Sequence, residues 1–140
     1  MRASESYRAV HEALASVLRA HGVPAVTKPS AEPGAGEDGP AGVCFERAEI
    51  HDVVNADTGL KIAGAAQKRN KHGLLFQGSV WRPAAGGTAL DWDTFGQNFT
   101  ATLAAALETE AETVPWPELS EDEVSGLTER YGSAEWNEQR

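Results

Sequence analysis

From Ser6 to His21 the apolar residues Tyr7, Val10, Leu14, Val17 and Leu18 recur mostly three or four apart, the spacing that lines one face of a helix. Ser4 and Ser6 offer N-cap hydroxyls, and Gly22 followed by Pro24 supplies the stop, so the pattern predicts an amphipathic helix. Ala25-Val26-Thr27-Lys28 reads as a short strand. Further along, the period shortens, and Ile50 to Val54, Leu60 to Lys68 and Leu74 to Arg82 read as strands. Their links, Asn55 to Gly59 and Arg69 to Gly73, hold asparagine, aspartate and glycine, which favour tight turns, so an antiparallel meander is predicted. After a bend at Pro83 to Gly87, Phe95, Phe99, Leu103 and Leu107 share one face of a second helix over Asp93 to Thr109, expected to pack on the sheet. Ser120 and Glu123 form a capping box for a third helix ending near Tyr131-Gly132, with Val124 and Leu127 expected to point inward. The fold class that follows is α+β, an antiparallel or mixed sheet packed with helices.

A chain of 140 residues is the size of one domain, and residues 1–140 are read as a single unit able to build an ordinary core without staples. Within it, Pro29 to Gly42 holds three prolines, four glycines and three carboxylates, a composition that predicts a mobile surface loop. The chain shows no internal repeat. A single cysteine, Cys44, excludes an internal disulfide, and His11, His21, His51 and His72 lack the spacing of a metal site, so no metal is expected. The apolar runs are too short for a membrane span, and MRASESYRAV lacks the layout of a secretory signal, which makes the cytoplasm the expected location.

Charge changes the picture. The formal net charge is −9, yet between Lys61 and Arg82 stand Lys61, Lys68, Arg69, Lys71 and Arg82 with no aspartate or glutamate. A local reversal of sign beside glycine-rich backbone points to an anion site. The overall acidity argues against a nucleic-acid partner, because polyanion binders carry a broad cationic excess. A confined basic stripe fits one phosphate or carboxylate better. From Glu108 onward there are ten carboxylates and two cations, Arg130 and Arg140, which reads as a solvated acidic surface.

Three stretches carry a resemblance: CFERAEIHDVV, GLKIAGAAQKRNKHGLLFQGSV and YGSAEWN, preceded by the helix start Glu5-Ser6-Tyr7-Arg8. Together they resemble the lipoate-protein ligase and octanoyltransferase family, related to biotin ligases, over nearly the whole chain. The middle stretch resembles the family's Gly-Lys-Lys-Ile-x-Gly-Ser-Ala-Gln-x-Arg pattern. The implied fold is part of a biotin/lipoate ligase-like catalytic domain. The implied activity is attachment of a lipoyl or octanoyl group to a lysine of a lipoyl-carrier domain or glycine cleavage H-type protein. ATP and Mg2+ are the implied cofactors of the ligase branch, with lipoate or octanoate as substrate.

By position, the resemblance makes Lys61 the lysine that contacts the acyl carbonyl and the phosphate of an acyl-adenylate. A fixed ammonium there would stabilise charge that builds on oxygen in the transition state. Gly64, Ala65 and Ala66 would let the adenylate or its aliphatic tail lie against backbone, with Gln67 alternating onto the face of Lys61, Ala63 and Ala65. The same stretch also reads as a central strand packed tightly beneath a helix. Gly78 and Ser79 match the family's Gly-Ser strand, and Asp52 its carboxylate near the nucleotide and lysine. Cys44 matches the nucleophile of the octanoyltransferase branch, which works from an acyl thioester without ATP. His51 and His72 read as exposed turn or strand-edge side chains.

The chain departs from the family at Ile50-His51 and Phe76, and it lacks an Arg-Arg-x-Ser-Gly-Gly-Gly segment. The expectation is therefore a C-terminal portion of the catalytic domain with an open strand edge and an apolar face. A completing subunit or a homo-oligomer would cover them. A non-catalytic half-domain that binds an acyl ligand or a partner is the competing expectation.

Overall fold

The computed structural model describes residues 1–29, 48–86 and 89–138. The loop expected from Pro29 to Gly42 lies, beyond Pro29, outside the described residues, and so does Cys44.

Helix α1 runs from Ala3 to Ala20. It begins earlier than the serines suggested, because Arg2 takes the N-cap position and its N–H donates to the Glu5 carboxylate at 2.7 Å. Its end follows the sequence reading. Gly22 adopts φ 88°, Val23 N–H donates to Leu18 C=O and Gly22 N–H to Arg19 C=O, which closes a Schellman motif on the last carbonyls. Strands β1 (Ala25–Thr27), β2 (Val53–Asn55), β3 (Lys61–Asn70) and β4 (Gly73–Val80) follow in a sheet ordered β1-β2-β3-β4, every pair antiparallel. The meander is thus as expected, with β1 added at its edge.

Two asparagines build the hairpin turns. Asn55 Oδ1 accepts from the N–H groups of Asp57 and Thr58, and Asn70 Oδ1 accepts from those of His72 and Gly73. The strand expected from Ile50 begins only at Val53. Glu49 to Asp52 form a turn instead, closed by Asp52 N–H on Glu49 C=O at 3.0 Å, with His51 at φ 72°. Period-2 alternation over so few residues cannot distinguish a strand from a turn whose own side chain closes it.

Leu14, Val17 and Leu18 of α1 pack against Ala25, Val53, Ile62 and Ala63 of the sheet, with Ala84 and Ala85 of a 3-10 turn (Arg82–Ala85) and Phe95 completing the core. Helix α2 (Trp92–Ala106) is capped by Asp91, whose side chain accepts from Asp93 and Thr94 N–H. It packs chiefly on α1, and its Phe99-Leu103-Leu107 side stands across a groove from β4 rather than flat on the sheet. Helices α3 (Glu121–Gly132) and α4 (Ala134–Asn137) follow, α3 capped by Ser120. The expected inward packing of α3 is not found. Val124 and Leu127 are 43% and 49% exposed, and α3 buries none of its residues. An amphipathic pattern records that a face wants cover, not that this chain supplies it. Among the described residues no helix is long and apolar enough to cross a membrane.

Leu18→Ala is expected to destabilise the fold by about 2–5 kcal/mol, since the side chain is fully buried in the core. Leu127→Ala should stay within about 0.5 kcal/mol. Urea unfolding of both variants checks the contrast, and an equal loss would mean that α3 is docked in solution.

Candidate functional site

The buried carboxylate of Asp52 organises this region. Its side chain is only 1% exposed, and each oxygen is occupied. Oδ1 accepts from the Tyr7 hydroxyl at 2.5 Å, while Oδ2 accepts from Glu49 N–H at 2.8 Å and pairs with Lys61 Nζ at 2.8 Å. The turn before β2 delivers Asp52, α1 delivers Tyr7, and the first residue of β3 delivers Lys61. Only 11% of the Lys61 side chain is exposed.

A register slip aims the lysine. Val54 pairs with Lys61 and Val53 with Ala63, so Ile62 is an extra residue on β3. The simple alternation expected from Lys61 through Ala63 and Ala65 to Gln67 is therefore broken at its start. Lys61 instead lies over Gly64, where an added Cβ would stand 2.8 Å from Lys61 Cε, 2.9 Å from Nζ and 3.2 Å from Asp52 Oδ1. Gly78 is constrained more tightly, by the neighbouring strand. It pairs with Ala65, and a Cβ there would meet Gly64 C=O at 2.8 Å and Ala65 Cβ at 2.9 Å. Gly78 is thus required by close approach to backbone, while Gly64 leaves the space that the end of the Lys61 side chain occupies on Asp52.

Lys61, Gly64, Ala65, Ala66, Gln77, Gly78 and Ser79 line an opening of about 460 Å³. Through Gly64, Ala65, Gly78 and Ser79 it adjoins a larger groove of about 670 Å³. That groove runs between α1 (Val10, Leu14), β4 (Leu74, Phe76) and α2 (Phe95, Phe99, Leu103). A cation at the mouth of a mostly apolar trough suits a molecule with an anionic head and a hydrocarbon tail.

Of the residues singled out in the sequence, Lys61, Asp52, Gly64, Ala65, Ala66, Gly78 and Ser79 come together here. Gln67 stands apart, because its amide is tied to the start of α1: Nε2 donates to Ala3 C=O at 2.6 Å, and Oε1 accepts from Ser6 Oγ at 2.8 Å. The basic stripe also divides. Lys68, Arg69 and Lys71 are exposed at the far end of the β3–β4 hairpin, with Arg69 donating to Met1 C=O, and Arg82 lies 4.8 Å from the centre of the Trp92 ring. His51 is half-buried in its turn and His72 is exposed.

Sequence reasoning missed Tyr7 and His11 as parts of the site. Tyr7 was counted on the apolar face of α1, yet its hydroxyl reaches Asp52 and its phenol pKa is pushed up to about 12, first by burial and then by the Asp52 hydrogen bond. His11, one turn on, is buried, lies tilted against Tyr7 with ring centres 4.1 Å apart, and has Nδ1 2.7 Å from Tyr7 C=O. Burial holds its pKa below the ordinary 6.5, so the ring is neutral at pH 7. Polar residues four apart on an otherwise apolar helix face were the available signal.

No protein-family model matches the chain, and no curated protein matches it in sequence. A solved structure of a proposed lipoate protein ligase from T. acidophilum is similar in fold, with a TM-score of 0.63 at 18% identity. The match covers 100% of this chain and 60% of that one. The α+β architecture is therefore that of part of a lipoate ligase-like fold.

Gly64→Ala should drive Lys61 off Asp52. A crystal structure of the variant with the 2.8 Å ion pair intact would contradict this account of the glycine. The Tyr7 phenol pKa is raised, so its stabilising contribution is complete below pH 10.0, the ordinary tyrosine value, and is lost as pH rises towards about 12. Tyrosinate absorbance should show one phenol ionising near 12, and Tyr7→Phe should remove that step.

Proposed function

We propose that the chain carries the lysine-bearing part of a ligase that attaches a lipoyl or octanoyl group to a lysine of a carrier-protein domain through an acyl-adenylate. One observation carries the reading: Lys61, held on buried Asp52, stands where side-chain-poor β backbone opens into an apolar groove of about 670 Å³. The similarity in fold to a proposed lipoate protein ligase supports it.

In the first step a carboxylate oxygen of the fatty acid bonds to the α-phosphorus of ATP and pyrophosphate leaves. In the second, the carrier lysine's amine bonds to the acyl carbon, AMP leaves and the amine gives up a proton. Both transition states gather negative charge on oxygen beside the mouth of the groove, where a pre-oriented ammonium stabilises it without reorganisation. The apolar groove would take the hydrocarbon tail and exclude water from the head group. Gly64 and Gly78 let the substrate approach the sheet backbone closely. Mg2+ would enter with the phosphates of ATP, as part of the substrate.

A second reading, in which the chain binds an acyl group or a completing subunit without catalysing ligation, is favoured by β4. Among the described strands β4 is an edge, and it exposes Leu74 at 38% and Leu75 at 65%. A second copy or another subunit pairing there would finish both the sheet and the groove wall.

The purified chain, given ATP, Mg2+, octanoate and an apo carrier domain, should yield an acylated carrier lysine detectable by mass. Lys61→Ala is expected to lower the rate about 10²- to 10³-fold, the usual cost of removing one group that stabilises the developing charge. An unchanged rate would remove Lys61 from the mechanism. Octanoate binding with no adduct would select the second reading.

A further inference from the structure

We infer that Tyr7 is a positioning residue for Lys61 and acts through Asp52; the inference rests on the role given to Lys61 above. A lysine side chain carries about 2 kcal/mol of rotamer entropy, so its ammonium stays at one point only if something fixes it. Here the fixed object is Oδ2 of Asp52, 2.8 Å from Nζ. A carboxylate turns easily about its last torsion, and the two oxygens are chemically identical. The Tyr7 hydroxyl removes that freedom: it donates to Oδ1 at 2.5 Å and leaves Oδ2 to Glu49 N–H and Lys61.

The hydroxyl is itself located from several sides. Ala65 N–H makes a long contact of 3.5 Å with it, which links it to the strand that floors the groove. The ring lies against His11, with centres 4.1 Å apart, and is tilted towards Phe76 at 6.4 Å. His11 Nδ1 in turn sits 2.7 Å from Tyr7 C=O, so the helix turn that carries the ring is braced as well. A tyrosine serving only to fill space could leave its hydroxyl in water. This one spends it on the carboxylate that holds the lysine, and a line of short contacts runs from α1 through Asp52 to Lys61.

The test is a double-mutant cycle of Tyr7→Phe and Asp52→Asn, with pyrophosphate release from ATP and octanoate as the readout. Tyr7→Phe removes one hydrogen bond to a charged group and should lower kcat roughly ten- to hundredfold, with KM for octanoate little changed. In the Asp52→Asn background the same change should have almost no further effect, because the negative charge through which it acts on Lys61 is gone. An equal fold-loss in both backgrounds overturns the inference, as does a loss confined to KM. A Tyr7→Phe chain that does not fold overturns it too, since the hydroxyl would then be a determinant of folding.

A second readout needs no catalysis. Acetic anhydride labels lysine amines, and mass detection of Lys61 acetylation reports how tightly its ammonium is held. Labelling of Lys61 should rise several-fold in Tyr7→Phe, and no further in the double variant than in Asp52→Asn alone. If the unaltered chain releases no pyrophosphate, the ligase reading fails and the positioning role is judged on labelling. Unchanged labelling of Lys61 then overturns it.

Discussion

A carboxylate taken wholly out of water costs several kcal/mol unless donors surround it, and Asp52 is such a group. The compensation comes from three elements: the Tyr7 hydroxyl on α1, the Glu49 N–H in the same turn as Asp52, and the Lys61 ammonium at the start of β3. None is free to move alone, because withdrawing any one leaves a buried charge short of a partner. The local order of α1 against the sheet and the orientation of the lysine are thus two results of one constraint. A surface ion pair would impose neither, since water would replace the missing partner at little cost.

Around that pair the sheet is built for close approach. The extra residue at Ile62 turns Lys61 out of simple alternation, and Gly64 leaves the space into which its side chain folds. Ala65 and Gly78 face each other across β3 and β4 with too little room for another carbon. The neighbouring groove has a different origin. Helix α2 packs Phe95 and Phe99 against the common core, and the same face, continued by Leu103 and Leu107, lines the groove opposite β4. Apolar walls that stand apart rather than meet are what a hydrocarbon guest requires, and close packing would have erased them.

Much of this was legible in the chain. The 3.6-residue period of α1, its glycine stop, the two asparagine-centred turns and the meander all follow from local chemistry, and local chemistry survives folding. The stretch from Lys61 to Arg82 stood out because five cations without a carboxylate are conspicuous in a chain of net charge −9, and the family resemblance then singled out Lys61 within it. Folding then sorted those five by depth, and charge pattern carries no depth: Lys61 went to the buried pair and Lys68, Arg69 and Lys71 to an exposed hairpin end. Tyr7 escaped notice for the opposite reason. Its ring satisfies the apolar period, so nothing in the pattern reveals that its hydroxyl reaches across to residue 52. Val124 and Leu127 show the remaining limit, for a helix's apolar stripe implies a partner without saying which chain provides it.

The division of the five cations also bears on the proposed ligation. An exposed lysine cluster attracts anions over a Debye length and is screened by salt, which aids encounter more than chemistry. A lysine buried on a carboxylate does the reverse: it adds little long-range attraction, because Asp52 cancels its charge at a distance. Within a few ångströms the cancellation fails, and the positive end of the pair is felt at the mouth of the groove. The pair therefore acts as an oriented dipole rather than a net charge. Such a dipole serves a reaction whose negative charge appears on one oxygen for a moment and then departs, because it holds the transition state without holding the anionic products equally tightly.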